Sequence, residues 1–192
     1  MQSVEHRVRV EFVRTHVAVP VNRSDEDVYV PLDGNKARFV GRGGLPTLHF
    51  VNRPEPSGAP RLWLCEDSTG LLVNVRDRRL PPAGVIAGKL RGVRYYAESV
   101  AQGDFRPGAP VTLVPEPKNP YDSRAVAVFD GTRTHRAAYL NKQKARMCLA
   151  RIEAGETVVA VSTYGTKPGI PSDAVHVVAG APAVISHLAL TV

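Results

Sequence analysis

Asp122 is the residue of this sequence whose chemistry most needs explaining, because it lies among groups that suit a polyanion. It ends the run Asn119-Pro120-Tyr121-Asp122, and upstream stands Arg94-Tyr95-Tyr96. An aromatic ring offers a nucleic-acid base a stacking platform worth about 1–3 kcal/mol. A guanidinium grips a phosphate with two parallel hydrogen bonds. A carboxylate repels phosphates, so beside a phosphodiester backbone it makes sense only where the target supplies a donor. The free sugar hydroxyl at a strand terminus is such a donor. A plainer reading stands beside this one. Asn, Pro and Asp all favour turns, so the run also fits a hairpin turn with its tyrosine on the surface. Arg94 and Tyr95 equally fit a strand with an aromatic face.

Charge sharpens the question. The net charge of +7 is unevenly spread: residues 1–87 hold 12 basic and 10 acidic side chains, residues 88–192 hold 13 and 8. Between Asp130 and Glu153 stand Arg133, Arg136, Lys142, Lys144, Arg146 and Arg151, with no acid among them. A one-signed patch draws polyanions, and phosphate neutralisation is its usual use. It also fits a solvated helix face that keeps the protein soluble.

Several classes are set aside. There is no nucleophile elbow, Walker motif or carboxylate pair at a recognisable spacing, and the six histidines are scattered, so a binding module is expected rather than an enzyme. Gly41-Arg42-Gly43-Gly44 lacks the Lys-Ser/Thr ending of a phosphate loop and reads as a turn. Cys65 and Cys148 read as reduced, buried thiols. No Cys/His cluster has zinc spacing, so no metal and no cofactor is expected. No apolar run is long enough to span a membrane, and no apolar signal core follows the charged start, which makes a cytoplasmic address the default.

The elements that must position these residues are mostly strands. Sixteen Gly and sixteen Pro argue for many turns. Residues 6–13 alternate polar and apolar side chains, and 17–21, 28–30, 38–40, 47–51, 61–65 and 71–75 are further candidates. Turns at 33–35, 41–44, 54–60 and 68–70 separate them. Leu80-Pro81-Pro82-Ala83-Gly84 interrupts secondary structure, placing a boundary near residue 86. Beyond it, 94–100, 111–114, 125–129, 135–140, 158–163 and 175–178 read as strands, with 185–192 as a late addition to the sheet. One helix interrupts them: Ala145, Cys148, Leu149 and Ile152 recur at three- and four-residue spacing, with Asn141 as N-cap and Gly155 as stop. Lys142 and Lys144 then stand where exposed backbone amides favour anions. The expected class is mainly β with one or two helices (α+β). Residues 1–86 form a β-rich N-terminal domain of unassigned role, and residues 87–192 form a second domain with a C-terminal strand extension.

Three runs, taken together, resemble a known family: 92–96 (Gly-Val-Arg-Tyr-Tyr), 113–128 with Asn-Pro-Tyr-Asp at its centre, and 138–142 (Ala-Tyr-Leu-Asn-Lys) entering the helix. Their order and spacing are similar to the HIRAN domain, over a core of about residues 88–168. That domain occurs as a standalone bacterial module, and in eukaryotes fused to helicases that remodel stalled replication forks. The resemblance implies an OB-like barrel that holds the 3′ end of single-stranded DNA, with a place in DNA repair or fork processing. It implies that Asp122 accepts a hydrogen bond from the terminal 3′-hydroxyl, that Tyr95 and Tyr121 flank the last nucleotides, and that Arg94 and Lys142 hold phosphates. Lys144 belongs to the same cationic helix start. Tyr139 stands where a histidine is common; it can stack or donate but cannot become cationic. The family's later aromatic clamp falls near Tyr164, while the register puts Ile170 there. The implied partner is single-stranded DNA with a free 3′ end, alongside a helicase or nuclease. A non-catalytic protein-interaction adaptor, or an accessory domain of a nuclease or helicase system, is the alternative.

Overall fold

The computed structural model describes residues 39–189, Arg42 excepted. The strands expected at 6–13, 17–21 and 28–30 and the turn at 33–35 lie outside the described residues. The first described elements are a hairpin, β1 (Leu48–Asn52) and β2 (Leu62–Glu66), paired antiparallel. The stretch expected as a strand at 71–75 makes one bridge only, Leu72 to Cys65. Gly43 and Gly44 both take positive φ, as the expected turn requires.

Among the described residues the main sheet has six strands: β3 (Ile86–Lys89), β4 (Pro110–Glu116), β5 (Ala125–Asp130), β6 (Arg136–Tyr139), β7 (Val159–Tyr164) and β8 (His176–Gly180). Their order is β3-β8-β7-β4-β5-β6, antiparallel throughout. The two outer strands then meet. Just past β3, Arg91 and Tyr139 exchange both backbone hydrogen bonds, at 2.8 and 3.2 Å, and this bridge curls the sheet into a small barrel. The mainly-β, small-barrel class expected from the sequence is the one adopted.

Period-two alternation explains why β3, β7 and β8 read as near-continuous apolar runs. Ile86, Ala160, Val177 and Ala179 face the barrel interior, with Val100, Phe105, Val126, Val128 and Cys148. Their neighbours Ala87, Val161 and Val178 face the other way, into a second core with Leu48, Phe50, Leu62 and Leu64 of the hairpin. A strand buried on both faces loses its polar alternation.

Among the described residues three α-helices pack around the sheet: α1 (Ala97–Gln102), α2 (Lys142–Glu153) and α3 (Pro182–Ala189). The expected helix is α2. Asn141 caps it, its side chain accepting from the Lys144 N–H at 3.0 Å, and Gly155 leaves it at φ 81°. Ala145 and Cys148 are buried against the barrel as read, but Ile152 is 36% exposed.

Two expected strands are helical instead. Residues 94–100 form a 3-10 turn, Val93–Tyr96, that runs into α1. Gly92 at φ 89° redirects the chain, and Val93, Tyr96 and Val100 face the core at spacings of three and four. That spacing, not β-branched and aromatic content, decided the local structure. Residues 185–192 were expected to extend the sheet; through Ala189 they belong to α3, and 190–192 lie outside the described residues. Pro182 suits a first helical turn, and Val184, Ile185 and Leu188 form one buried face on the second core. Among the described residues no helix is long and apolar enough to cross a membrane.

Candidate nucleic-acid interface

The loop 117–124 joins β4 to β5 and is shaped by two short polar side chains. The Asn119 Oδ1 accepts the backbone N–H groups of Tyr121 and Asp122, at 3.0 and 3.2 Å. The Asp122 Oδ1 accepts the Arg124 N–H at 2.9 Å, and its carbonyl accepts the Ala125 N–H. Side chains that mimic a backbone turn in this way pinch the chain outward. Tyr121 sits at the outermost point, 95% exposed.

Beneath the loop lies a groove of about 730 Å³. The loop forms one wall, Lys142 and Ala145 of α2 the other, and Tyr96, Arg136 and Tyr139 the floor. Four of the residues singled out from the sequence therefore line one concavity: Tyr121, Asp122, Tyr139 and Lys142. Asp122 is half-buried there, and its second oxygen retains capacity to accept.

The floor is a closed polar network. Arg136 Nη2 donates to Glu116 Oε1 at 2.6 Å, and Arg136 Nη1 donates to the Tyr139 hydroxyl at 2.8 Å. Tyr139 in turn donates to Glu116 Oε2 at 3.0 Å. The guanidinium also lies near the rings of Phe129, Tyr139 and Tyr96, at 4.9, 5.4 and 5.5 Å. Burial, reinforced by the hydrogen bonds with Tyr96 and Glu116, pushes the Tyr139 phenol well above its ordinary range. Tyr139 is thus a fixed neutral donor.

Sequence reading missed Glu116 and Tyr96 as groove residues and took Arg136 only as part of a basic run. In a regular strand, residues three apart point to opposite faces. The β5–β6 register shifts between Val128 and Phe129, so that Ala138 opposes the first and Arg136 the second. This bulge is what lets Arg136 and Tyr139 meet, and bulges leave no spacing signal in a sequence.

The other residues singled out lie elsewhere. Arg94 and Tyr95 do not line the groove. They pair with each other, Nη2 donating to the Tyr95 hydroxyl at 2.7 Å with the guanidinium 4.8 Å from the ring centre. Tyr95 is 73% exposed, and its neighbour Tyr96 is the ring that reaches the floor. Lys144, expected beside Lys142 at an exposed helix start, is buried, because its position on α2 faces the barrel near Gly88. Desolvation there lowers its pKa.

Tyr164 is on the far side, its ring 5.3 Å from that of His176 and 5.7 Å from the Arg61 guanidinium. Arg61 Nη2 stands 3.2 Å from His176 Nδ1; a guanidinium only donates, so Nδ1 accepts and the proton sits on Nε2. Burial first, then the charges of Arg61 and Lys89, lowers the His176 pKa to about 4. Ile170 stands on the loop before β8, 43% exposed.

The basic run between Asp130 and Glu153 divides in the same way. Arg136 is paired with Glu116, Arg151 donates to the Gly84 carbonyl, and Lys144 is buried. Arg133, Lys142 and Arg146 remain exposed. Both cysteines are buried and free, and burial raises the Cys148 thiol to about 11. Among the described residues no cluster of His, Cys, Asp and Glu is placed to hold a metal ion.

The model of the HIRAN domain matches residues 83–171. No curated protein matches the chain significantly. Among solved structures, the crystal structure of the HIRAN domain of human HLTF is 21% identical, covering 55% of this chain and 83% of that one, with a TM-score of 0.39. A crystal structure of a protein from Lactobacillus plantarum is 19% identical over 48% of this chain and 87% of that one, at a TM-score of 0.40. The NMR structure of the HLTF HIRAN domain in its DNA-bound conformation is 20% identical over 55% and 82%, at 0.36.

Proposed function

We propose that this protein, whose residues 83–171 match the model of the HIRAN domain, is a binding module for single-stranded DNA and that the groove beneath loop 117–124 receives the strand's 3′-hydroxyl end. The observation that carries the reading is the convergence of Tyr121, Asp122, Tyr139 and Lys142 on one concavity. Each has a distinct task. Tyr121 stacks on a terminal base, its ring already free of other packing. Lys142 meets a phosphate at the start of α2, where the helix amides add to its field. Asp122 accepts a hydrogen bond from the terminal hydroxyl through the oxygen that Arg124 leaves available. The rings of Tyr96 and Tyr139 lie beneath the last sugar and base, their hydroxyls held in the polar network of the floor. Arg94 and Tyr95, on the turn leading to Tyr96, take the strand as it leaves the groove. The module acts by holding the end, without chemistry of its own.

The test is a fluorescence-anisotropy competition between two short oligonucleotides that differ only in a 3′-hydroxyl or a 3′-phosphate. The hydroxyl form binds more tightly to the wild type, and Asp122→Asn narrows the difference, because a phosphate set against a carboxylate is repelled. Equal affinity of the wild type for both termini removes Asp122 from this role.

A further inference from the structure

Glu116 ends β4 with both carboxylate oxygens engaged. Oε1 accepts from Arg136 at 2.6 Å, and Oε2 accepts from Tyr139 at 3.0 Å and from the Asn119 amide at 2.9 Å. The Asn119 amide has only one workable orientation. Its oxygen already accepts the N–H groups of Tyr121 and Asp122, so its NH₂ must face the carboxylate. A continuous chain therefore runs from Arg136 through Glu116 and Asn119 to the backbone of the two residues that reach the ligand. Among the described residues, the side-chain hydrogen bonds from loop 117–124 to the barrel are those of Asn119, to Glu116 and, at 3.5 Å, to Tyr139.

We infer that Glu116 and Asn119 are positioning residues: together they form a strut that fixes the height of Tyr121 and Asp122 above the groove floor before any ligand arrives. A loop without such a tie must be ordered at the moment of binding, and that ordering subtracts from affinity. The floor is well suited to bear a strut. Arg136 is hemmed in by three rings and the Glu116 carboxylate, so Glu116 itself cannot drift. The arrangement also explains an acid on the floor of a groove read as a DNA site. Glu116 is neutralised by Arg136 and turned towards the loop, and it presents no free oxygen to a phosphate.

The inference takes its ligand from the reading above, but the strut can be probed without DNA. Asn119→Asp keeps an acceptor for the two backbone N–H groups and sets a second carboxylate against Glu116, across a gap of 2.9 Å. Glu116→Gln presents a carbonyl to Arg136 or to Asn119, but not to both. In the double variant, the new amide at position 116 accepts from Arg136 and donates to the new carboxylate at position 119, which restores the chain with its polarity exchanged.

Two readouts on the full chain decide the matter. One is amide hydrogen exchange at Tyr121 and Asp122, followed by NMR without ligand. The other is affinity for a short single-stranded oligonucleotide with a free 3′-hydroxyl. Each single variant speeds exchange at those two amides and weakens binding by about tenfold or more, and the double variant recovers both. The inference is overturned if the single variants match the wild type in exchange and affinity, or if the double variant is no better than the two losses combined. Should the wild type bind no single-stranded DNA, the functional reading fails while the exchange pattern still judges the strut. Should the wild type bind and the single variants match it in both exchange and affinity, the strut fails and the functional reading stands.

Discussion

Replacing Tyr121 with alanine separates binding from folding more cleanly than any other change at the groove. The side chain is 95% exposed, so truncating it removes almost no buried surface. Surface changes of this kind stay within about 0.5 kcal/mol of wild-type stability, which for a domain of this size moves the melting temperature by about 2 °C or less. The loss on binding is of another order. A base deprived of its aromatic platform loses about 1–3 kcal/mol, or roughly 5- to 150-fold in Kd. Tyr121→Phe keeps the ring and should keep most of the affinity. Tyr96 and Tyr139 cannot serve for this test, because both are tied into the floor network, and altering either disturbs the fold together with the site. The assay is fluorescence anisotropy on single-stranded DNA, paired with thermal melting of the same samples. An unchanged Kd for Tyr121→Ala refutes the stacking role. A melting temperature lowered by many degrees refutes the premise that the ring is free in the folded protein.

Two further outcomes follow from charge placement. Lys142→Ala weakens DNA binding and reduces the slope of log Kd against log salt by about 0.7, one phosphate contact fewer on a single strand, whereas Lys144→Met changes that slope less, because most of the Lys144 side chain is packed against the barrel and does not line the groove; a salt titration of both variants checks this. His176 stays neutral in the folded protein down to a pKa of about 4, while the unfolded chain takes up its proton near 6.5. Its contribution is therefore fully present above pH 6.5 and is lost as the pH falls towards 4. Denaturant unfolding across that window should show a steeper decline for wild type than for His176→Gln, and equal slopes would show that the burial of His176 has no bearing on acid stability.

What the sequence disclosed, and what it withheld, follows the physics of each segment. Strands β4 to β8 and helix α2 were legible because their signals are local: alternation, a change of period, a cap at Asn141 and a glycine at 155. The segment 93–102 misled because β-branched and aromatic residues suggest a strand, while the spacing of Val93, Tyr96 and Val100 suggests a turn of helix. The segment after Pro182 misled because a short apolar run fits either element until its packing partner is known. At the groove, the loop was legible from Asn119-Pro120-Tyr121-Asp122, since turn chemistry is written in consecutive residues. The floor was not, because Glu116 and Arg136 come together with Tyr96 through a bulge and a barrel seam, pairings between distant segments that no local spacing foretells. The burial of Lys144 escaped for a simpler reason: charge alone does not say which side of a helix meets the barrel.

The seam between Arg91 and Tyr139 is a single stitch, one residue pair wide, and one of its two residues carries the hydroxyl at the centre of the groove floor. This narrow junction of the cylinder is therefore also the bed of the groove. Loosening the seam would displace the Tyr139 hydroxyl, so the closure of the wall and the shape of the groove floor hang on the same residue.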